Sequence, residues 1–140
     1  MTDSTSLIHI LAEVKSDVIY NSAAQSHVAN SFEAPHYTAE TTGIDVLSLS
    51  EAVHYIGLTS KFYQASTSQL FSSNPIEAPQ SEITPFKPKS PYGAAKLCGL
   101  EIGRVYRESY GMFMTNGILF NHESERGGEN FVSLNYIRYF

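Results

Sequence analysis

The chain has 140 residues, a net charge of −5, 42% apolar and 16% charged residues. That length suits one domain with a modest core, and the scattered charges argue against a nucleic-acid or anionic-membrane surface while leaving room for a local basic pocket that binds phosphate. One cysteine, Cys98, rules out an intrachain disulfide framework. No apolar run reaches the roughly 18 residues of a membrane span, and Met1-Thr2-Asp3-Ser4 lacks a signal-peptide n-region. A reducing, cytoplasmic setting is therefore expected.

Asp3 or Ser4 caps a first helix whose apolar spacing runs through Leu7, Ile10, Leu11 and Val14. Val18-Ile19-Tyr20-Asn21 reads as a short buried strand, followed by a small-residue loop, Ser22 to His27. The spacing of Val46, Leu49, Val53 and Ile56 predicts a long helix from about His36 to Tyr55, ended by Gly57. Lys61 to Ser66 reads as a second strand. Residues 67–90 hold Pro75, Pro79, Pro85 and Pro88 and form the main loop. Ser90 caps and Pro91 opens a helix that ends near Gly111. Phe113 to Phe120 is a third strand, Asn121 to Gly128 a loop, and Glu129 to Arg138 a last helix. This alternation implies βαβ crossovers. The expected fold is α/β, part of a Rossmann-like parallel sheet with about three strands and four helices.

The chemistry concentrates in Ser66-Thr67-Ser68 and Tyr92-Gly93-Ala94-Ala95-Lys96. A Tyr and a Lys four apart share one helix face, and a nearby cation lowers a phenol's pKa. A hydroxyl at a strand end can hold a substrate alcohol against that phenol. This is equipment for moving a hydride on or off a carbon bearing oxygen. The three polar clusters, 66–68, 92–96 and 120–123, fall on the C-terminal rim of a parallel sheet, where such sheets bind ligands. His9, His27, His36, His54 and His122 lack metal-ligand spacing, so no metal is expected. Cys98 reads as a small buried side chain inside its helix.

The runs 20–28, 62–68, 90–96 and 116–124 together resemble the GDP-mannose 4,6-dehydratase family, within the extended short-chain dehydrogenase/reductases. The resemblance covers Thr2 to about Val132, and residues 133–140 do not clearly follow it. It implies a partial NAD(P)-binding Rossmann domain over residues 1–140, without the N-terminal glycine-rich βαβ part and the C-terminal substrate domain. In that family the hydride of mannose C4 passes to NADP, a Glu removes the C5 proton with loss of water, and the hydride returns to C6. The resemblance makes Tyr92 the C4 base, has Lys96 lower its pKa and bind the nicotinamide ribose, and sets Thr67 on the C4 hydroxyl. Ser22, Ala23, Ala24, Gln25, Tyr37 and His122 fall at cofactor-contacting positions, and Asn121 at a position contacting the sugar nucleotide. The implied ligands are NADP and GDP-mannose.

Two departures stand out. The family reads Ser-Thr-Ser-Glu where this chain has Gln69, which has no basic oxygen to take the C5 proton. One of the family's paired arginines becomes Gly127. Three readings follow: a dehydratase of the GDP-fucose route, an inactive homologue that docks on an intact subunit, or a sugar-nucleotide epimerase or oxidoreductase. The resemblance also implies a homo-oligomer, or a heteromer with a full-length homologue, because in that superfamily the helices corresponding to the second and third here pair across a dimer.

Overall fold

The computed structural model describes residues 3–71, 78–122 and 124. Helix α1 (Ser4–Val14) starts at Asp3, whose carboxylate accepts from the Thr5 and Ser6 amides. It stops at Lys15, which takes left-handed backbone angles. Strand β1 (Val18–Asn21) follows, then helices α2 (Val28–Glu33) and α3 (Pro35–Ala39). A π-helical turn, Glu40–Ile44, joins α3 to α4 (Asp45–Tyr55). Strand β2 (Lys61–Ala65) leads into a 3-10 turn, Ser68–Leu70. Helix α5 (Pro91–Tyr110) and strand β3 (Met114–Gly117) complete the described elements.

The strands form a parallel sheet in the order β1-β2-β3, with Ile19 opposite Phe62 and Phe62 opposite Met114. The α/β reading holds. The core lies where α1, α4 and α5 meet one sheet face, around Leu11, Leu49, Ala52, Val53, Phe62, Tyr106 and Met114. The opposite face exposes Val18 and Tyr20, and Tyr20 packs its ring 5.8 Å from Tyr63.

The expected long second helix is present but composite. Its π-turn carries Gly43, where a Cβ would stand 3.0 Å from the Ala95 carbonyl oxygen, so the bulge lets this helix approach α5. Val46, Leu49 and Val53 are buried as the spacing predicts, and Gly57 ends the helix with φ +68°. Helix α2 was not expected. Its six residues are capped by the His27 side chain instead of a recognisable Ser, Thr, Asp or Asn cap. On α1 the inward face is Leu7, Ile8 and Leu11, while Ile10 and Val14 are exposed, a correction to the predicted stripe. Cys98 is exposed, a correction to the expected buried side chain: its Cβ lies beside Gly43 of the π-turn and not in the core. Strand β3 is shorter than predicted. Of the predicted loop 121–128 only Asn121, His122 and Ser124 are described, and the predicted helix 129–138 lies outside the described residues.

Candidate active site

The site forms where β2 ends and α5 begins. Past Ala65, the β2 backbone stays tied to the β3 side: the Ser66 amide donates to the Gly117 carbonyl and the Ser68 amide to the Leu119 carbonyl, each at 2.8 Å. This holds Thr67 at the rim in extended geometry. The Thr67 hydroxyl accepts from the Gln69 amide at 3.3 Å, and its effect on the neighbouring Tyr92 phenol is to lower that phenol's pKa. Ser90 caps α5 by accepting from the Gly93 amide at 3.0 Å, with Pro91 in the first turn. Tyr92 therefore sits at the positive end of a 20-residue helix, which favours a phenolate.

Gly93 sets the approach of these two pieces. A Cβ there would lie 2.7 Å from the Gln69 carbonyl oxygen and 3.0 Å from Pro88 Cβ. Only glycine lets the Ser68–Leu70 turn rest on the start of α5. A glycine directly after the tyrosine is the sequence signal that reveals this.

Lys96 lies one turn further on and is 4% exposed. Its ammonium donates to the Ala65 carbonyl at 2.9 Å and stands 5.9 Å from the Tyr92 ring centroid. Burial lowers its pKa to about 8. The Tyr92 phenol is pushed above its ordinary value by burial, with the Thr67 hydrogen bond pulling the other way. This differs from the expected lowering by Lys96. The reason is geometric: the amine is aimed at a backbone carbonyl, not at the phenol oxygen.

Thr67, Tyr92 and Lys96 thus meet. Gln69 is exposed at the same rim, with its backbone fixed by Thr67. The loop Ser22–Gln25 leaves β1 beside the end of β2. Ser22 and Ala23 are open to solvent and Ala24 is half-buried. Gln25 is engaged inward: its Oε1 accepts from the His27 amide at 2.6 Å, and its Nε2 donates to the His27 carbonyl and the Thr38 hydroxyl. Its backbone amide donates to Thr42 Oγ1. Tyr37 lies exposed on α3, and Asn121 and His122 are exposed beyond β3, where His122 Nδ1 is 3.0 Å from the Phe120 carbonyl oxygen. Among the described residues, none of these last three makes a hydrogen bond or ring contact with Tyr92. Arg126 and Gly127 are outside those residues.

Two further facts bear on ligands. Ser66 Oγ is a buried hydroxyl without a hydrogen-bond partner, beside the carbonyl that holds Lys96. Among the described residues no group of three or more His, Cys, Asp or Glu is placed to hold a metal ion, and no helix is long and apolar enough to cross a membrane.

The family model described as GDP-mannose 4,6 dehydratase matches residues 1–140, including the stretch beyond Val132. A GDP-mannose 4,6-dehydratase of Vibrio cholerae serotype O1 is 56% identical over 135 residues, covering 95% of this chain and 36% of the relative. The Homo sapiens GDP-mannose 4,6 dehydratase is 54% identical over the same share of each chain. RMD from Pseudomonas aeruginosa, solved in complex with NADPH, superimposes with a TM-score of 0.90 over 99% of this chain and 47% of its own, at 22% identity. That likeness speaks to the Rossmann-like fold. The chain spans about a third of the length of the curated relatives it matches. By sequence match across its length, the chain belongs to the GDP-mannose 4,6-dehydratase family.

Proposed function

We propose that Thr67, Tyr92 and Lys96 are the proton-transfer centre of a GDP-mannose 4,6-dehydratase acting on GDP-mannose with NADP, in the cytoplasm. The observation that carries this reading is the meeting of buried Thr67 and Tyr92 at the head of α5, with the buried Lys96 ammonium one turn away on the Ala65 carbonyl. The residues present suit the nicotinamide end of the cofactor. Small, accessible Ser22 and Ala23 offer a close backbone approach, and Lys96 and the unpartnered Ser66 hydroxyl supply donors. When bound, NADP accepts the hydride from the sugar and returns it.

The chain's own residues handle the proton. Thr67 holds the sugar hydroxyl against Tyr92 Oη, which takes the hydroxyl proton. The helix N-terminus and Thr67 favour the phenolate that does so. Tyr37, His122 and Gln25 are assigned to the cofactor side and Asn121 to the sugar nucleotide; Gln25 serves through the loop backbone it anchors. We assign residues 1–140 to one part of the NAD(P)-binding domain.

Gln69 occupies the position of the eliminating base. Its amide cannot take a proton from C5, so elimination slows by a hundred- to ten-thousand-fold, roughly the worth of one positioned base. The test is a chimera in which this chain replaces the matched segment of the Vibrio cholerae relative. With GDP-mannose and NADP it is expected to oxidise C4 and to form the 4-keto-6-deoxy product only after Gln69→Glu. Full dehydration with Gln69 in place overturns the assignment of that position. Absence of C4 oxidation in both overturns the assignment of Tyr92.

Gln69 equally favours a second reading, a silent subunit that pairs with a complete homologue. The exposed Leu47, Tyr55, Val105 and Tyr110 on α4 and α5 supply an apolar surface for it. Co-purification with a full-length homologue, lost on Val105→Lys, supports this reading.

A further inference from the structure

Asn21 closes β1, and Gln64 faces it across the β1–β2 pair. Both amide side chains are buried, at 4% and 1% exposed. A buried amide is costly unless its donor and acceptor ends both find partners. Here they form a chain. The Ala23 amide donates to Asn21 Oδ1 at 3.2 Å, and Asn21 Nδ2 donates to Gln64 Oε1 at 2.8 Å. Gln64 Nε2 then donates to the Ala65 carbonyl at 3.2 Å, the same carbonyl that receives the Lys96 ammonium. The far end of the loop is tied independently, through Gln25 to Thr42 and Thr38.

We propose that Gln64 is a positioning residue that couples the seat of the Lys96 ammonium to the Ser22–Gln25 loop, so that both are set as one unit toward a common ligand. Only an amide does this, because it accepts from Asn21 with one end and donates to Ala65 with the other. A carboxylate keeps the first bond and loses the second, and an aliphatic residue loses both. The coupling deepens the proposed site. It rests on that reading only in naming Lys96 and the loop as parts of one ligand site.

The test needs no turnover. Lysine-labelled NMR follows the titration of Lys96, assigned by Lys96→Arg, and amide exchange follows Ala23. Tyr92 is the titratable side chain beside the amine, so it is observed in parallel. In Gln64→Glu, Lys96 is expected to titrate above about 8, moving toward the ordinary 10.5, while Ala23 exchange stays as in the parent. In Gln64→Leu, Ala23 exchange is expected to rise about tenfold or more. Parent-like titration in Gln64→Glu, or parent-like Ala23 exchange in folded Gln64→Leu, overturns the coupling. Should neither variant fold, the parent decides: slowly exchanging Gln64 side-chain amide protons support the relay, and solvent-fast exchange overturns it. A chain inactive on GDP-mannose leaves these readouts unaffected, so the two readings fail separately.

Discussion

Lys96 is an ammonium drawn out of water by the helix that carries it, and that has a measurable sign. Folded, it titrates at about 8, against an ordinary 10.5. Between those values the unfolded chain holds more protons than the folded one, so stability rises with pH. Tyr92 opposes this only above its ordinary 10.0, where the folded phenol keeps a proton that the unfolded one has lost. From pH 8 to pH 10 the parent is therefore expected to gain roughly 2 kcal/mol relative to Lys96→Met, by denaturant titration. Equal slopes for the two proteins contradict a buried, depressed lysine. Thr67 makes a companion prediction. Its hydroxyl stabilises the phenolate, so Thr67→Val is expected to move the Tyr92 titration further up, seen by NMR of ring-labelled tyrosine. An unchanged titration contradicts the hydrogen bond.

Among the elements, α5 is held by small residues as much as by apolar ones. A Cβ at Gly99 would stand 2.9 Å from Val46 Cγ2, and valine is stiff at χ1. Alanine is the better helix former, yet Gly99→Ala is expected to destabilise the chain by about 1–3 kcal/mol through overpacking against α4. A gain in melting temperature contradicts that packing. Which elements the sequence revealed follows the range of the interactions that make them. The Ser90 cap, Pro91 and the Gly111 stop are local signals, and α5 spans Pro91–Tyr110 as they require. The π-turn Glu40–Ile44 depends on Gly43 meeting Ala95 of another helix. No local pattern encodes that meeting. The predicted stripe of α1 failed at Ile10 and Val14 because period alone does not choose between two overlapping apolar faces. Tertiary packing against α4 chose Leu7, Ile8 and Leu11.

At the scale of the molecule, the site joins the ends of β1 and β2 to the start of α5, and its legibility divided along the same lines. Tyr92 and Lys96 sit one helical turn apart, which spacing alone announces. The Asn21–Gln64 pair spans 43 residues and exists only through strand register. Its one clue was a glutamine two residues after Phe62, on the same inward face of the strand. The pKa of Tyr92 was not legible either, because burial raises it while the Lys96 amine turns to the Ala65 carbonyl, and both are properties of the folded whole. We propose above that Tyr92 serves hydride transfer at a carbon bearing a hydroxyl. The most direct test uses the chimera with the Vibrio cholerae relative, GDP-mannose deuterated at C4, and NADP. Deuterium is expected to reach the nicotinamide with Gln69 in place, and Tyr92→Phe is expected to slow that transfer by about a hundredfold or more. Transfer at the parent rate in Tyr92→Phe would contradict the claim.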